Sequence, residues 1–107
     1  METNQRKSRR LQLQKILREI LGSDNVYFQP PESQRLTYPC IIYELGDYNL
    51  IHADNGKHHI SEQYNITLIT KQPDETIGKA LLELPMCSFN RPFINDGLYH
   101  YVFTIYI

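Results

Sequence analysis

The tetrapeptide Asp54-Asn55-Gly56-Lys57 constrains this chain more than any other stretch, because Asn-Gly accepts the two positive φ angles of a type I′ hairpin turn. Upstream lies a β-prone run, Cys40-Ile-Ile-Tyr-Glu-Leu45, opened by Pro39 at a first strand position, where proline is tolerated. A two-residue loop fixes the register of the hairpin. It sets Leu45 opposite Ile66, Tyr43 opposite Leu68 and Ile41 opposite Thr70 on one face, with Glu44 opposite Thr67 on the other. One face is then mostly apolar and the other mixed, as in a sheet covered on one side by helices. Toward the turn, Asp47, Asn49, His52, His58, His59 and Glu62 are polar on both faces. That half of the hairpin has little to bury, so it is expected to project from the body as an arm that orders against another subunit.

The other elements follow from periodicity. Leu13, Ile16, Leu17, Ile20 and Leu21 fall on one helical face and Gly22 tolerates the left-handed closing conformation, which predicts a helix over about 5–21. Asn25-Val-Tyr-Phe-Gln-Pro-Pro-Glu32 is a short apolar trio ended by two prolines, hence an extended segment or edge strand. In the stretch Pro73–Leu84, a proline and two acids precede Ile77, Ala80, Leu81 and Leu84 on one face, which predicts a second helix stopped by Pro85. Asn95-Asp96-Gly97 marks a turn. After it Tyr99, Tyr101, Phe103, Ile105 and Ile107 alternate with Leu98, His100, Val102, Thr104 and Tyr106, and residues 87–94 should pair with this strand as a hairpin. The fold class is therefore α+β: a two-layer sandwich with a mostly antiparallel sheet of about four to five strands, two helices on one face and a projecting β-hairpin. The 107 residues suffice for one domain, 1–107, with residues 1–10 expected to be a flexible basic N-terminus.

Charge is divided along the chain. Arg6, Lys7, Arg9, Arg10, Lys15 and Arg18 stand against Glu2 in the first 18 residues, giving +5, so the remaining 89 sum to −6 beneath a net charge of only −1. The cations crowd the N-terminal end of the predicted helix, where the macrodipole disfavours them, so local helix stability does not account for their position. A solvated face accounts for such cations, and so does contact with an acidic neighbour or nucleic acid. Hydrophobic content of 41% against 21% charged residues is globular rather than disordered. The polar start is no secretory signal, and no apolar run is long enough to span a membrane.

Motif chemistry is sparse. In the deduced register His52 faces His59, with His58 and Asp54 nearby; these are metal-ligand residue types, but a wet hairpin offers them no supporting shell, so no metal or cofactor is expected. Cys40 and Cys87 fit neither a disulfide framework nor a metal pair, and are expected to be reduced and buried. No phosphate loop, HExxH or GxSxG occurs, and no catalytic residue is assigned. The alternative function class is a small RNA- or single-stranded-DNA-binding domain that uses the basic N-terminal helix. Tyr99, Tyr101 and Phe103 are similar to the stacking platform of RNA-binding sheets, but they fall on the face expected to be core.

Several runs resemble the small tail-completion or tail-terminator proteins of long-tailed bacteriophages. They are Asn25-Val-Tyr-Phe-Gln-Pro-Pro-Glu-Ser33, Tyr38-Pro-Cys-Ile-Ile-Tyr43, His52-Ala-Asp-Asn55, Tyr64-Asn-Ile-Thr67, Leu84-Pro-Met-Cys-Ser-Phe89 and Asp96-Gly-Leu-Tyr-His-Tyr-Val-Phe-Thr104. The resemblance spans most of residues 15–107 and leaves out the basic start, Arg6 to Arg10. It implies a structural virion protein of the head–tail junction, assembled in the host bacterial cytoplasm. Such proteins form a ring, commonly hexameric, that caps the tail tube, ends its polymerisation and joins it to the head connector. The implied partners are further copies of the chain, the major tail tube protein and the head-closure protein, with DNA passing the lumen without sequence-specific binding and no membrane contact. Interface residues expected on this basis are His52, Asp54, Asn55, Lys57, His58 and His59 on the hairpin, with Arg6, Arg9 and Arg10 as a basic partner surface.

Overall fold

The computed structural model describes residues 4–52 and 58–107, and side chains at residues 7–46 and 62–107. Helix α1 spans Asn4–Leu21, so from residue 4 the basic stretch set apart in the sequence is the opening of this helix. Gly22 closes α1 at φ +79°, its N–H donating to the Arg18 carbonyl at 2.8 Å. Strand β1 (Val26–Phe28) is followed by β2 (Cys40–His52) and β3 (His58–Thr70). Helix α2 (Thr76–Leu82) is shorter than the stretch from Pro73 to Leu84 predicted for it. Asp74 explains the late start, because its carboxylate accepts the Ile77 N–H at 2.9 Å and caps the helix after the proline. Strands β4 (Cys87–Asn95) and β5 (Leu98–Tyr106) complete the chain.

The five strands form one sheet in the order β1-β2-β3-β5-β4, antiparallel except for β1, which runs parallel to β2. The α+β two-layer architecture is as the pattern implied. The β2–β3 register is not. Ile41 pairs with Leu68, Tyr43 with Ile66, Glu44 with Asn65 and Leu45 with Tyr64, two residues from the pairing deduced from Asn-Gly. One residue of the shift is present at the far end, where His52 pairs with His58, and His59 lies opposite Ile51. The second comes from a bulge between Leu45 and Asp47, which leaves Gly46 as the additional residue. A Cβ at Gly46 would sit 3.0 Å from Asn65 Nδ2 and 3.3 Å from the Gln63 carbonyl, so the close approach favours glycine there. A one-residue slip would have turned the core side chains to solvent, whereas a shift of two keeps them inward.

The core lies between the helices and one face of the sheet. Leu13 and Leu17 of α1 and Leu81 of α2 bury against Val26, Ile41, Tyr43, Tyr64, Ile66, Leu68, Phe103 and Ile105. On the opposite face, cross-strand rows such as Ile42, Thr67, Val102 and Arg91 carry no helix.

Candidate functional site

The predicted arm begins where the sheet narrows to two strands. Pairing of β3 with β5 ends at Gln63 opposite Tyr106, and Glu62 then exchanges two backbone bonds with Ile107, at 2.9 and 3.0 Å. Beyond that, Asn49 through His52 pair with Ser61 through His58 and with no third strand. His52, His58 and His59 are thus placed in the two-stranded extension by backbone register. Asp54, Asn55 and Lys57 lie outside the described residues. The facing pair deduced from the turn, His52 and His59, is not formed; the backbone register sets His52 opposite His58 and His59 opposite Ile51.

At the root of the arm sits a polar cluster that the sequence pattern concealed. Glu62, grouped in the sequence with wet arm residues, is 1% exposed. It occupies an inward position of β3, in line with Tyr64, Ile66 and Leu68, and the C-terminal strand seals it at the edge. The Tyr64 hydroxyl donates to Glu62 Oε2 at 2.7 Å, and the Arg9 guanidinium lies 3.6 Å from Oε1. A buried carboxylate is tolerated when a cation and a hydroxyl face it in this way. The clue in the sequence was an acid at an even-numbered, inward position of β3, beside a helix with excess arginine.

The other arginines are distributed differently. Arg10 stacks over Phe28 at 4.3 Å from the ring centroid, and Phe28 belongs to an aromatic group with Tyr43 (5.0 Å) and Tyr64 (6.4 Å). Tyr43, 6.0 Å from Tyr64, donates its hydroxyl to Gln14 Oε1 at 2.6 Å. Arg9 and Arg10, expected as a basic partner surface, therefore hold α1 onto the sheet. For Arg6 the structure gives only the backbone, near the start of α1.

Both cysteines are free. Cys40 is buried, and burial pushes its thiol up from 9.0 to about 11; Cys87 is half-buried and shifted in the same direction for the same reason. These are weak nucleophiles at neutral pH. His100 stacks on Phe93 at 4.5 Å, its Nδ1 3.1 Å from the Leu98 carbonyl. Among the described residues, no cluster of three His, Cys, Asp or Glu side chains is placed to hold a metal ion, and no helix is long and apolar enough to cross a membrane.

No family model, curated protein or solved structure matches the chain.

Proposed function

We propose that this chain is a structural protein of the head–tail junction of a long-tailed bacteriophage, a tail-completion subunit that forms a ring, caps the tail tube and joins it to the head connector. Its partners in this reading are copies of itself, in a ring of six, the major tail tube protein and the head-closure protein. DNA crosses the lumen without base-specific contacts, and the acidic body allows its release. The role is assembly rather than catalysis.

One observation carries the reading beyond the sequence resemblance: β2 and β3 continue as a two-stranded ribbon past the last residues that β5 covers. An isolated ribbon of this kind is marginal in water and gains stability when a neighbour adds a strand or a surface. The RNA- or single-stranded-DNA-binding alternative has less support, because Phe103 is 1% exposed beneath the helices and Tyr101 is half-buried, its hydroxyl accepting the Asp74 N–H. A stacking platform needs open rings.

Purified tail tubes growing from their own subunit provide the test. Adding the full chain should arrest tube growth and leave a ring at the tube end by electron microscopy, whereas the chain lacking residues 48–59, folded by circular dichroism, should not. Tubes that elongate unchecked in the presence of the full chain would remove the reading, and arrest by the deletion variant would remove the arm from it. A salt-dependent gel shift with single-stranded RNA tests the alternative.

A further inference from the structure

Once Arg9 and Arg10 are assigned to the fold, the cations of α1 that remain exposed among the described side chains are Lys7, Lys15 and Arg18. With Leu11 they occupy one stripe, at i, i+4, i+8 and i+11, opposite the buried Leu13 and Leu17. All four are exposed, Leu11 at 49%, an apolar side chain in the middle of a basic stripe. Arg18 approaches Asp24 at 3.9 Å, and neither Lys7 nor Lys15 forms an ion pair among the described residues.

A surface of the opposite character lies between α2 and the free edge strand β4. There Leu82 and Phe89, 45% and 42% exposed, flank a cleft of about 190 Å³ whose floor is Gly78, Tyr101 and Phe103. An added Cβ at Gly78 would stand 3.7 Å from Phe103 Cζ, an ordinary van der Waals contact. Asp74 and Glu75 rim the cleft and Glu83 follows at the end of the helix, three carboxylates against Lys79, which itself sits 3.8 Å from Glu75.

We infer that these two surfaces are the halves of one contact between copies of this chain: the Lys7-Leu11-Lys15 stripe of α1 docks on the α2–β4 cleft of the next copy, with Leu11 entering between Leu82 and Phe89. The patches differ in shape and sign, so the contact is heterologous, the type that builds rings rather than two-fold dimers. The apolar anchor supplies contact area and the charges supply register and orientation. The inference rests on the ring reading and names the surfaces that close it, in place of Arg9 and Arg10.

Charge reversal on each side tests it with the full chain, followed by sedimentation over a concentration series in low salt and by the arrest of growing tail tubes. Lys7→Glu with Lys15→Glu should weaken self-association or tube capping by about tenfold or more, and Glu75→Lys with Glu83→Lys should do the same. A chain carrying all four changes should regain it, since the attraction is restored with its sign inverted. All four side chains are exposed, and circular dichroism checks that each variant is folded. A chain with Leu11→Cys and Leu82→Cys should give an oxidised ladder of dimer, trimer and higher forms. Association or capping that ignores the reversals, or a four-site variant that does not recover, overturns this contact and leaves the ring standing. A wild-type chain that neither self-associates up to about 1 mM nor caps tubes overturns both.

Discussion

The molecule contains two antiparallel hairpins that look alike in sequence and differ in what holds them. The β4–β5 hairpin turns on Asp96-Gly97 at φ +52° and +73°, with Asn95 paired to Leu98, as a type I′ turn requires. Yet every β4 residue after Cys87 is exposed, and Ile94 reaches 66% exposure. The β2–β3 hairpin departs from its predicted register and carries the larger share of the core: Ile41, Tyr43, Tyr64, Ile66 and Leu68 lie within it and are nearly inaccessible, against Phe103 and Ile105 on β5. Turn chemistry therefore sets local pairing, whereas burial under the helices sets which hairpin the fold depends on.

Truncating one ring in each hairpin draws that contrast most sharply. Tyr43→Ala empties a fully buried site, breaks up the Phe28–Tyr43–Tyr64 group and removes the bond to Gln14, so it should cost about 3–5 kcal/mol, or much of the stability of a domain this size. Phe93→Ala, at a 37% exposed position stacked on His100, should cost about 1 kcal/mol or less. Urea unfolding of both variants measures the difference, and equal losses would mean that the two hairpins share the load.

The same contrast explains what the sequence disclosed. Both helices, the closing Gly22, the Asp96-Gly97 turn and the inward face of each long strand were legible, because period and turn chemistry are local properties. The β2–β3 register was not, since a bulge at Gly46 depends on how Asn65 and Gln63 sit across the strand pair, and no neighbour-to-neighbour pattern encodes that. Glu62 was misjudged for a related reason. Its burial follows from two distant elements meeting, Arg9 of α1 and the chain end at Ile107. The fates of Arg9 and Arg10 were hidden likewise, because a run of cations looks the same whether it points to solvent or folds onto an acid and a ring.

A smaller effect is expected where the arm joins the body. Arg9→Met leaves the Glu62 carboxylate buried with the Tyr64 hydroxyl still facing it. Removing one partner of a fully buried pair costs roughly 3–5 kcal/mol; with the Arg9 side chain 38% exposed and partly screened, about 2 kcal/mol is expected. Combining Arg9→Met with Glu62→Gln should recover part of this, because a buried charge is gone. Hydrogen exchange should quicken at residues 58–62 more than in β5. Uniform quickening across the sheet would show that Arg9 supports the whole fold and not the arm root in particular.

The smallest effect on stability separates the hairpins by their thiols, for each carries one. Cys40 on β2 is buried, its thiol pushed up from 9.0 to about 11, while Cys87 on β4 is only half-buried and shifted the same way. The two-unit rise at Cys40 lowers its thiolate fraction at pH 8 about a hundredfold, and burial adds a steric barrier. In native protein at pH 8, iodoacetamide should therefore consume Cys87 first, with Cys40 reacting on the timescale of unfolding. The sign for stability is fixed by the same shift. The folded state holds the Cys40 proton more tightly than the unfolded chain, so the contribution of this thiol is full below about pH 9 and is lost as the pH rises toward about 11. A Cys40→Ala variant should match the wild type in pH dependence at pH 7–8 and lose less stability on going to pH 11. If Cys40 is alkylated as fast as Cys87, buried β2 opens as readily as the exposed edge strand β4, and the distinction between them lies in static packing alone.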